Sequence, residues 1–310
     1  MINLYFCAPA DLWQNWKAPL RHALDEIGLP HQLSPECNDP SQVDYLIYAP
    51  GGPVSDFSPF TRAKAVLGLW AGVEDVVTNP SLHIPLSRMI QSELRDGMVE
   101  WVVGHVLRYH LGMDQHILNQ DGGWNSEGPP LARDRSVVVL GLGEIGQACA
   151  SALAALKFNV LGWSRSQKIV ENVTCFHGPD DLSRALAQAE ILVLLLPLTA
   201  ETRLLINANR IAQLPQGAVI LNPGRGWLLD ERALLDALET GQIEHATLDA
   251  FQREPLPTDH PFWSHPKITV TPHIAAKTRP QSAACFIAEN IQRREQAKPL
   301  LGLVNRQAGY

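Results

Sequence analysis

The stretch that most constrains the fold is "SVVVLGLGEIG", residues 136–146, in which an apolar run leads into Gly141, Gly143 and Gly146. A buried valine run with this glycine spacing predicts a parallel strand, a tight turn and the start of a helix. The first glycine permits the turn, the second lets backbone approach a pyrophosphate, and the third lets helix and strand pack. We therefore expect a dinucleotide site here, although a glycine-rich loop without a ligand has the same pattern. The residues expected to line it are Gly141, Leu142, Gly143, Glu144, Ile145 and Gly146.

The next segment bears on which dinucleotide is bound. In an NAD site, an Asp or Glu about 20 residues after the glycines binds the ribose hydroxyls. Here Trp163 is predicted to end a strand, and Ser164, Arg165 and Ser166 follow it. An arginine can bind a 2′-phosphate that an acid would repel. This favours NADP(H) over NAD(H), unless residues 164–168 are only a solvated basic turn.

Composition limits the remaining possibilities. At 310 residues, with 18% charged and 45% hydrophobic residues, the chain is expected to fold into about two domains. A net charge of -7 argues against nonspecific binding to nucleic acid or to acidic membranes. The five cysteines form no CxxC pair, so we expect no metal site, no disulfide framework and a cytoplasmic location. The longest apolar run, "ILVLLLPL", is far shorter than the roughly 20 residues that span a bilayer. The N-terminus, "MINLYFCAPADLW", resembles a first strand more than a signal peptide.

The order of apolar runs predicts the fold class. From residue 135 onward, continuous Val, Ile and Leu runs alternate with helical segments, which is typical of a doubly wound parallel sheet. The first hundred residues show a shorter βαβ rhythm and predict a second, smaller α/β sheet. Between them, residues 97–120 have helical periodicity, and the turn-rich residues 120–134 could be a hinge or an arm packed on a partner chain.

Three later segments place polar residues where predicted strands end. They are "LNPGRGWLLD" with Arg225, "LDAFQREPLP" with Glu254, and "ITVTPHIAA" with His273. Carboxyl ends of parallel strands meet at the edge of the sheet where ligands bind. Each residue alone is compatible with a structural role, but the ordered set beside a dinucleotide turn predicts a catalytic site.

Taken together, these motifs resemble the D-isomer-specific 2-hydroxyacid dehydrogenase family, and most of all its glyoxylate/hydroxypyruvate reductase branch. The segments that carry the resemblance, in addition to the glycine turn, are "AGVE", "VEWVVGHVL", "WSRS", "LLPLTAETRLLIN", "NPGRG", "LDAFQREPLP" and "TPHIAA". The resemblance implies a Rossmann nucleotide domain over residues 99–275 and a flavodoxin-like substrate domain over residues 1–98 and 276–310. It also implies a homodimer.

The implied reaction is the reduction of small 2-oxo acids, such as glyoxylate and hydroxypyruvate, to 2-hydroxy acids. Arg225 would bind the substrate carboxylate, and His273 would donate the proton that follows hydride transfer. Glu254 would orient the imidazole and raise its pKa, so that it stays protonated near neutral pH.

The resemblance also implies further contacts at both ligands. The cofactor residues that it adds are Trp163, Ser164, Arg165, Ser166, Leu196, Pro197, Asn222, Pro223, Gly224, Asp249 and Ala275. The substrate residues that it implies are Trp70, Ala71 and Gly72, besides Arg225 and His273. Several have structural alternatives: Asp249, Leu196 and Pro197 could be ordinary strand-end residues, and Trp70 could line the pocket or pack the domain core. Trp70 replaces a residue that is commonly small in the family, and Glu74 replaces the usual Asp.

Two alternatives to this function remain open at this point. A cofactor-sensing interaction protein, like the dehydrogenase-like transcriptional corepressors, would retain the same polar residues. A dehydrogenase for a bulkier D-2-hydroxy acid would retain them as well.

Overall fold

The computed structural model describes residues 1–124, 126–307 and 309. Asn125, in the predicted linker, and Ala308 and Tyr310, at the end of the predicted substrate domain, lie outside the described residues. The chain divides into two compact units, Met1–Leu94 with Thr278–Tyr310, and Arg95–Lys277. That the first unit binds substrate and the second binds the dinucleotide remains a prediction.

The first unit is built on a five-stranded parallel sheet in the order β2-β1-β3-β4-β5, which is the flavodoxin-like order. Helices α1 and α9 pack against each other, so the C-terminal segment returns to the N-terminal unit. Small and apolar residues of α9, including Ala284 and Ile287, are buried there. The elements are β1 (Ile2–Cys7), α1 (Trp13–Glu26), β2 (His31–Ser34), β3 (Tyr45–Tyr48), β4 (Ala65–Gly68), α2 (Glu74–Val77), β5 (Leu86–Ser87) and, at the other end of the chain, α9 (Pro280–Glu295).

The second unit contains a seven-stranded parallel sheet in the order β12-β11-β10-β9-β6-β7-β8. The strand order reverses between β6 and β9, which is the switch point where doubly wound sheets bind ligands. The elements are α3 (Ser92–His110), which begins in the first unit, α4 (Met113–Leu118), β6 (Ser136–Leu140), α5 (Glu144–Ala155), β7 (Asn159–Ser164), β8 (Thr174–His177), α6 (Gly178–Leu186), β9 (Ile191–Leu194), α7 (Ala208–Ile211), β10 (Ala218–Asn222), α8 (Glu231–Glu239), β11 (Ile243–Leu248) and β12 (Ile268–Val270). The two sheets confirm the predicted fold class.

Residues 97–120, for which the periodicity predicts helical structure, are mostly helical but form more than one helix. The structure has two helices, α3 and α4, because Gly112 adopts a left-handed conformation with φ of 61° and ends the first one. Met98, Val102 and Val106, which helical spacing places on one face of α3, are buried in the core of the second unit. Within the described residues, none of the helices combines the length and apolar character that a membrane span requires.

Candidate active site

The glycine turn has the geometry that a dinucleotide needs. Gly141 has a φ of 107°, and a Cβ there would lie 2.5 Å from the carbonyl oxygen of Leu195. A Cβ on Gly146 would lie 1.7 Å from the carbonyl oxygen of Gly141, so helix and turn can approach only without a side chain. Around Gly143, by contrast, no atom lies within 4 Å of an added Cβ. The backbone at Gly143 therefore faces open space that can take a pyrophosphate, and the turn fits the predicted cofactor.

A glutamine that the sequence analysis did not single out stabilises this turn. Gln147, in the first part of α5, donates its side-chain amide to the carbonyl oxygen of Leu142 at 2.9 Å. Its backbone N–H donates to the carbonyl oxygen of Gly143, also at 2.9 Å. The only sequence signal for this role is an amide side chain one residue after the last glycine of the motif.

The turn after β7 presents Arg165 at the surface of the second unit. Strand β7 ends at Ser164, one residue later than predicted, and Arg165 and Ser166 are exposed. The Ser164 hydroxyl donates to the carbonyl oxygen of Ser166 at 2.7 Å, so it shapes the turn and would have to exchange that bond to donate to a phosphate. Trp163 points inward, with its indole N–H donating to the carbonyl oxygen of Gly178 at 2.7 Å. Of these predicted cofactor residues, Arg165 therefore offers the accessible charge.

Leu196 and Pro197 follow β9 across the switch point from the glycine turn. Leu196 is buried, and the carbonyl oxygen of Pro197 accepts a hydrogen bond from the Thr202 hydroxyl at 2.7 Å. In the same loop, the Thr199 hydroxyl donates to Glu201, and this bond lowers the pKa of Glu201, with a smaller contribution from the charge of Arg165. The charge of Arg165, in the turn after β7, therefore acts on the loop after β9.

Arg225 lies on a loop whose shape depends on Asn222, the last residue of β10. The side-chain amide of Asn222 donates to the carbonyl oxygen of Arg225 at 3.0 Å and accepts from the N–H of Gly224 at 3.2 Å. A Cβ on Gly226 would lie 1.9 Å from the carbonyl carbon of Phe251, so this position requires glycine. Buried Asn222, Pro223 and Gly224 therefore set the backbone from which the Arg225 side chain extends.

Glu254 and His273 form a hydrogen-bonded pair. The distance between His273 Nδ1 and Glu254 Oε2 is 2.7 Å, and the other carboxylate oxygen of Glu254 accepts from the N–H of Phe251 at 2.9 Å. The His273 side chain is 51% exposed and that of Glu254 is 36% exposed, so substrate can reach the imidazole. The structure thus brings together two of the three predicted catalytic side chains directly.

The charges around His273 include the third member, Arg225. The hydrogen bond to Glu254 raises the pKa of His273 above its ordinary value; burial and the charge of Arg225 act in the opposite direction, and Asp249 adds to the rise. Burial raises the pKa of Glu254, but the hydrogen bonds from His273 and Phe251 and the charges of His273 and Arg225 outweigh it and lower the pKa overall. The pair therefore favours the protonated imidazole and the ionised carboxylate more than either group would alone in water.

The remaining predicted residues fall into two groups. Asp249 and Ala275 are buried next to His273, with the N–H of Ala275 donating to Asp249 Oδ2 at 2.9 Å. Trp70, Ala71 and Gly72 belong to the first unit, directly after β4, and are partly exposed. The Trp70 ring meets buried Trp16 edge-on, with the ring centroids 6.3 Å apart, so at least part of the indole packs within its own unit. Contact of these residues with substrate remains a prediction.

Among the described residues, no cluster of three or more His, Cys, Asp or Glu side chains is placed to bind a metal ion. The second unit instead places an arginine, a carboxylate and an imidazole at the carboxyl edge of the sheet. The glycine turn lies at the same edge. This arrangement can bind a substrate carboxylate and exchange one proton beside a hydride donor.

Known proteins are similar to this chain in sequence and in fold. The family model for the NAD-binding domain of D-isomer specific 2-hydroxyacid dehydrogenases matches residues 103–275. Glyoxylate/hydroxypyruvate reductase A of Serratia proteamaculans is 35% identical to this chain over 318 aligned residues, with both chains covered in full. The protein of the same name from Yersinia enterocolitica is 37% identical, again over the full length of both.

Solved structures agree with these relatives. A D-isomer specific 2-hydroxyacid dehydrogenase from Xanthobacter autotrophicus, in complex with NADPH and MES, is 38% identical with a TM-score of 0.91, covering 100% of this chain and 99% of that one. An NADPH-dependent glyoxylate/hydroxypyruvate reductase from Sinorhizobium meliloti, in complex with NADP and sulfate, is 32% identical with a TM-score of 0.88 and full coverage of both chains. These matches confirm the resemblance seen in the motifs, and the chain belongs to the D-isomer specific 2-hydroxyacid dehydrogenase family.

Proposed function

We propose that this protein is an NADPH-dependent reductase of small 2-oxo acids, converting glyoxylate to glycolate and hydroxypyruvate to D-glycerate. The observation that carries the proposal is the 2.7 Å hydrogen bond between His273 and Glu254, in the unit that contains the glycine turn. The charge of Arg225 also acts on His273. The names of full-length relatives, glyoxylate/hydroxypyruvate reductase A, support this choice of substrates.

In the proposed mechanism, Arg225 binds the substrate. Its planar guanidinium can bind a carboxylate through two parallel hydrogen bonds and can polarise the neighbouring carbonyl oxygen. The loop contacts made by Asn222 keep the backbone of Arg225 in one conformation, so the bound 2-oxo acid would have a defined orientation.

His273 serves as the proton donor. Bound NADPH supplies the hydride to the carbonyl carbon, and the alkoxide oxygen that results needs a proton. Because Nδ1 of His273 bonds to Glu254, the nitrogen that remains for the substrate is Nε2. Glu254 stabilises the imidazolium before transfer, and in the reverse direction the neutral imidazole would accept the proton.

NADP(H) is the proposed cofactor, with Gly141–Gly146 at the pyrophosphate and Arg165 at the 2′-phosphate. Arg165 is exposed at the end of β7, where an NAD enzyme places an acid. Support comes from the structures of the Xanthobacter and Sinorhizobium proteins, which contain NADPH and NADP.

The proposal is tested by measuring steady-state reduction of a panel of 2-oxo acids of increasing size with NADPH and NADH. We expect turnover with glyoxylate and hydroxypyruvate, and a loss on the order of 10²–10⁴ in kcat for His273→Ala. Arg225→Lys should mainly raise KM, because an ammonium cannot reproduce the two-point contact. Turnover of His273→Ala equal to that of the wild type would remove His273 from this role.

We also propose that the protein is a homodimer and resides in the cytoplasm. Six of the twelve exposed large apolar side chains in the described structure lie within residues 111–131, which we call the arm; among them, Leu118 is 79% exposed and Trp124 is 95% exposed. Apolar side chains concentrated in this way favour burial against a second copy.

For the cytoplasmic location, the support is that all five cysteines are free thiols, which suits a reducing compartment. Sedimentation velocity and cell fractionation test the two statements.

A further inference from the structure

The carboxylate of Asp249 is fully buried and binds a single loop. Asp249 follows β11 and is 0% exposed. Its Oδ1 accepts from the Thr271 hydroxyl at 2.5 Å and from the N–H of Ile274 at 2.9 Å, while Oδ2 accepts from the N–H of Ala275 at 2.9 Å. All three donors come from residues 271–275, the segment after β12 that carries His273, which we call the His273 loop.

The backbone of Asp249 binds the same loop. Its carbonyl oxygen accepts from the N–H of His273 at 3.0 Å, and its own N–H donates to the carbonyl oxygen of Asn222 at 3.0 Å. His273 has a φ of 52°, in the left-handed region that residues with side chains rarely adopt. Such a conformation persists only where the surroundings enforce it, and the contacts to Asp249 lie on both sides of His273.

These contacts bear on the role that family resemblance implies for Asp249, a contact with the nicotinamide. A carboxylate offers about four acceptor positions, and the His273 loop occupies three of them. A buried carboxylate without such donors would be costly to bury, so these hydrogen bonds are required where they are. The observed use of Asp249 is therefore to shape the loop that presents the imidazole.

We propose that Asp249 is a positioning residue for His273, which holds the His273 loop so that the imidazole meets Glu254 and presents Nε2 to the substrate. This inference rests on the proposed function, in which His273 donates the proton. It assigns Asp249 an effect on proton transfer, and not primarily on cofactor affinity.

The charge of Asp249 gives the proposal a second, electrostatic consequence. The charged groups that face His273 are Glu254 and Asp249, which raise its pKa, and Arg225, which lowers it. Replacing Asp249 by Asn removes one of the two negative charges and turns an amide N–H toward the N–H of Ala275. We therefore expect a lower pKa of His273 in Asp249→Asn, and a reductive rate that declines at lower pH than in the wild type.

The most selective test is Thr271→Val, which removes one donor to Asp249 and leaves the side chains of Glu254 and His273 unchanged. Its matched control is Thr247→Val, because Thr247 lies in the same unit and its hydroxyl instead meets the Tyr109 hydroxyl at 2.6 Å. We expect kcat for glyoxylate to fall roughly 2- to 10-fold in Thr271→Val, the loss of one hydrogen bond, and to stay within twofold in Thr247→Val. The Kd for NADPH, measured by fluorescence titration, should stay within twofold in both.

In the measurements of kcat and Kd, two results would overturn the proposal. One is wild-type kcat in Thr271→Val; the other is an NADPH Kd that weakens in Thr271→Val as much as kcat falls, which would assign the loop contacts to the cofactor.

A readout without turnover comes from NMR titration of histidine-labelled protein without cofactor, with His273→Ala identifying the resonance. The pKa of His273 should be lower in Asp249→Asn than in the wild type, and an unchanged value contradicts the proposal. If the wild type reduced no 2-oxo acid, the proposed function would fail, and this titration would still decide the role of Asp249.

Discussion

At the scale of single residues, the chemistry of the site depends on one pair. Glu254 holds His273 through Nδ1 and thereby selects the nitrogen, Nε2, that remains for the substrate. The pair also sets the pH range of the reaction. An imidazole is charged below its pKa and neutral above it. Reduction, which needs the imidazolium, should therefore decline as pH rises through the raised pKa of His273.

Glu254→Gln should move this decline to lower pH. The substitution removes the hydrogen-bonding charge that contributes most to raising the pKa of His273, so its value should fall toward or below about 6.5, the ordinary value for histidine. The measurement is kcat/KM for glyoxylate reduction as a function of pH, from about 5 to about 9. Histidine side chains titrate within this range.

The matched control for this profile is Glu231→Gln. Glu231 lies 3.6 Å from His260 in the same unit, but neither residue belongs to the proposed site. Its profile should coincide with that of the wild type. A profile of Glu254→Gln that also coincides would show that Glu254 does not control the protonation of His273.

We propose that cofactor choice also depends on one residue, Arg165. Arg165→Asp should weaken NADPH binding by more than tenfold and leave NADH binding nearly unchanged, because the new carboxylate repels a 2′-phosphate and suits a ribose hydroxyl. The measurement is the Kd of the variant for each cofactor. The control is Arg232→Asp, which makes the same charge change at an exposed residue of α8. Equal losses for NADPH and NADH would remove Arg165 from the 2′-phosphate site.

At the scale of elements, the turn between β6 and α5 separates two uses of glycine. Gly146 is required because its helix touches the turn, whereas Gly143 faces open space. Gly146 therefore serves packing, and Gly143 leaves space for the proposed ligand.

Substituting each of these glycines by alanine should distinguish the two uses. Gly146→Ala forces a methyl group against backbone and should destabilise the unit by about 1–3 kcal/mol or more. Gly143→Ala should keep the melting temperature within a few degrees, on the order of the shift that 1 kcal/mol gives, yet weaken NADPH binding, because its methyl would occupy the space of the pyrophosphate. Thermal melts and NADPH titrations check both. Unimpaired NADPH binding in Gly143→Ala would contradict this placement of the phosphates.

Elements differ in how well their sequences predict them. The strands β6, β9 and β10 are continuous apolar runs buried on both faces, and the patterns predict them directly. The short edge strands β2 and β8 bury only Leu33 and Phe176, so no apolar run distinguishes them from loops. The break between α3 and α4 is hidden because a glycine within a periodic segment can be tolerated or can end a helix.

At the scale of the whole molecule, the arm is the feature that the described chain leaves uncovered. Ile117 and Leu118 are 68% and 79% exposed at the end of α4. If they are buried against a second copy, a charged pair in their place must be desolvated at the interface. Ile117→Asp with Leu118→Asp should therefore convert the proposed dimer into a monomer.

Sedimentation velocity on wild type and variant measures this change. Leu156→Asp is the control, because Leu156 is also exposed, at 42%, but lies outside the arm. It should leave the dimer intact. A dimer that survives the double substitution would place the subunit interface elsewhere.

The sequence alone predicts the fold class and the glycine turn, because apolar periodicity and glycine spacing are local properties that act through neighbouring residues. Arg225, Glu254 and His273 are proposed from their order along the chain and from the family resemblance. Only the tertiary structure decided that Asp249 binds the loop of His273, that Asn222 shapes the loop of Arg225, and that Gln147 stabilises the glycine turn. The contacts of Asp249 join segments more than twenty residues apart. Such contacts exist only once parallel strands bring their carboxyl ends to one edge, and no pattern along the chain encodes their distances.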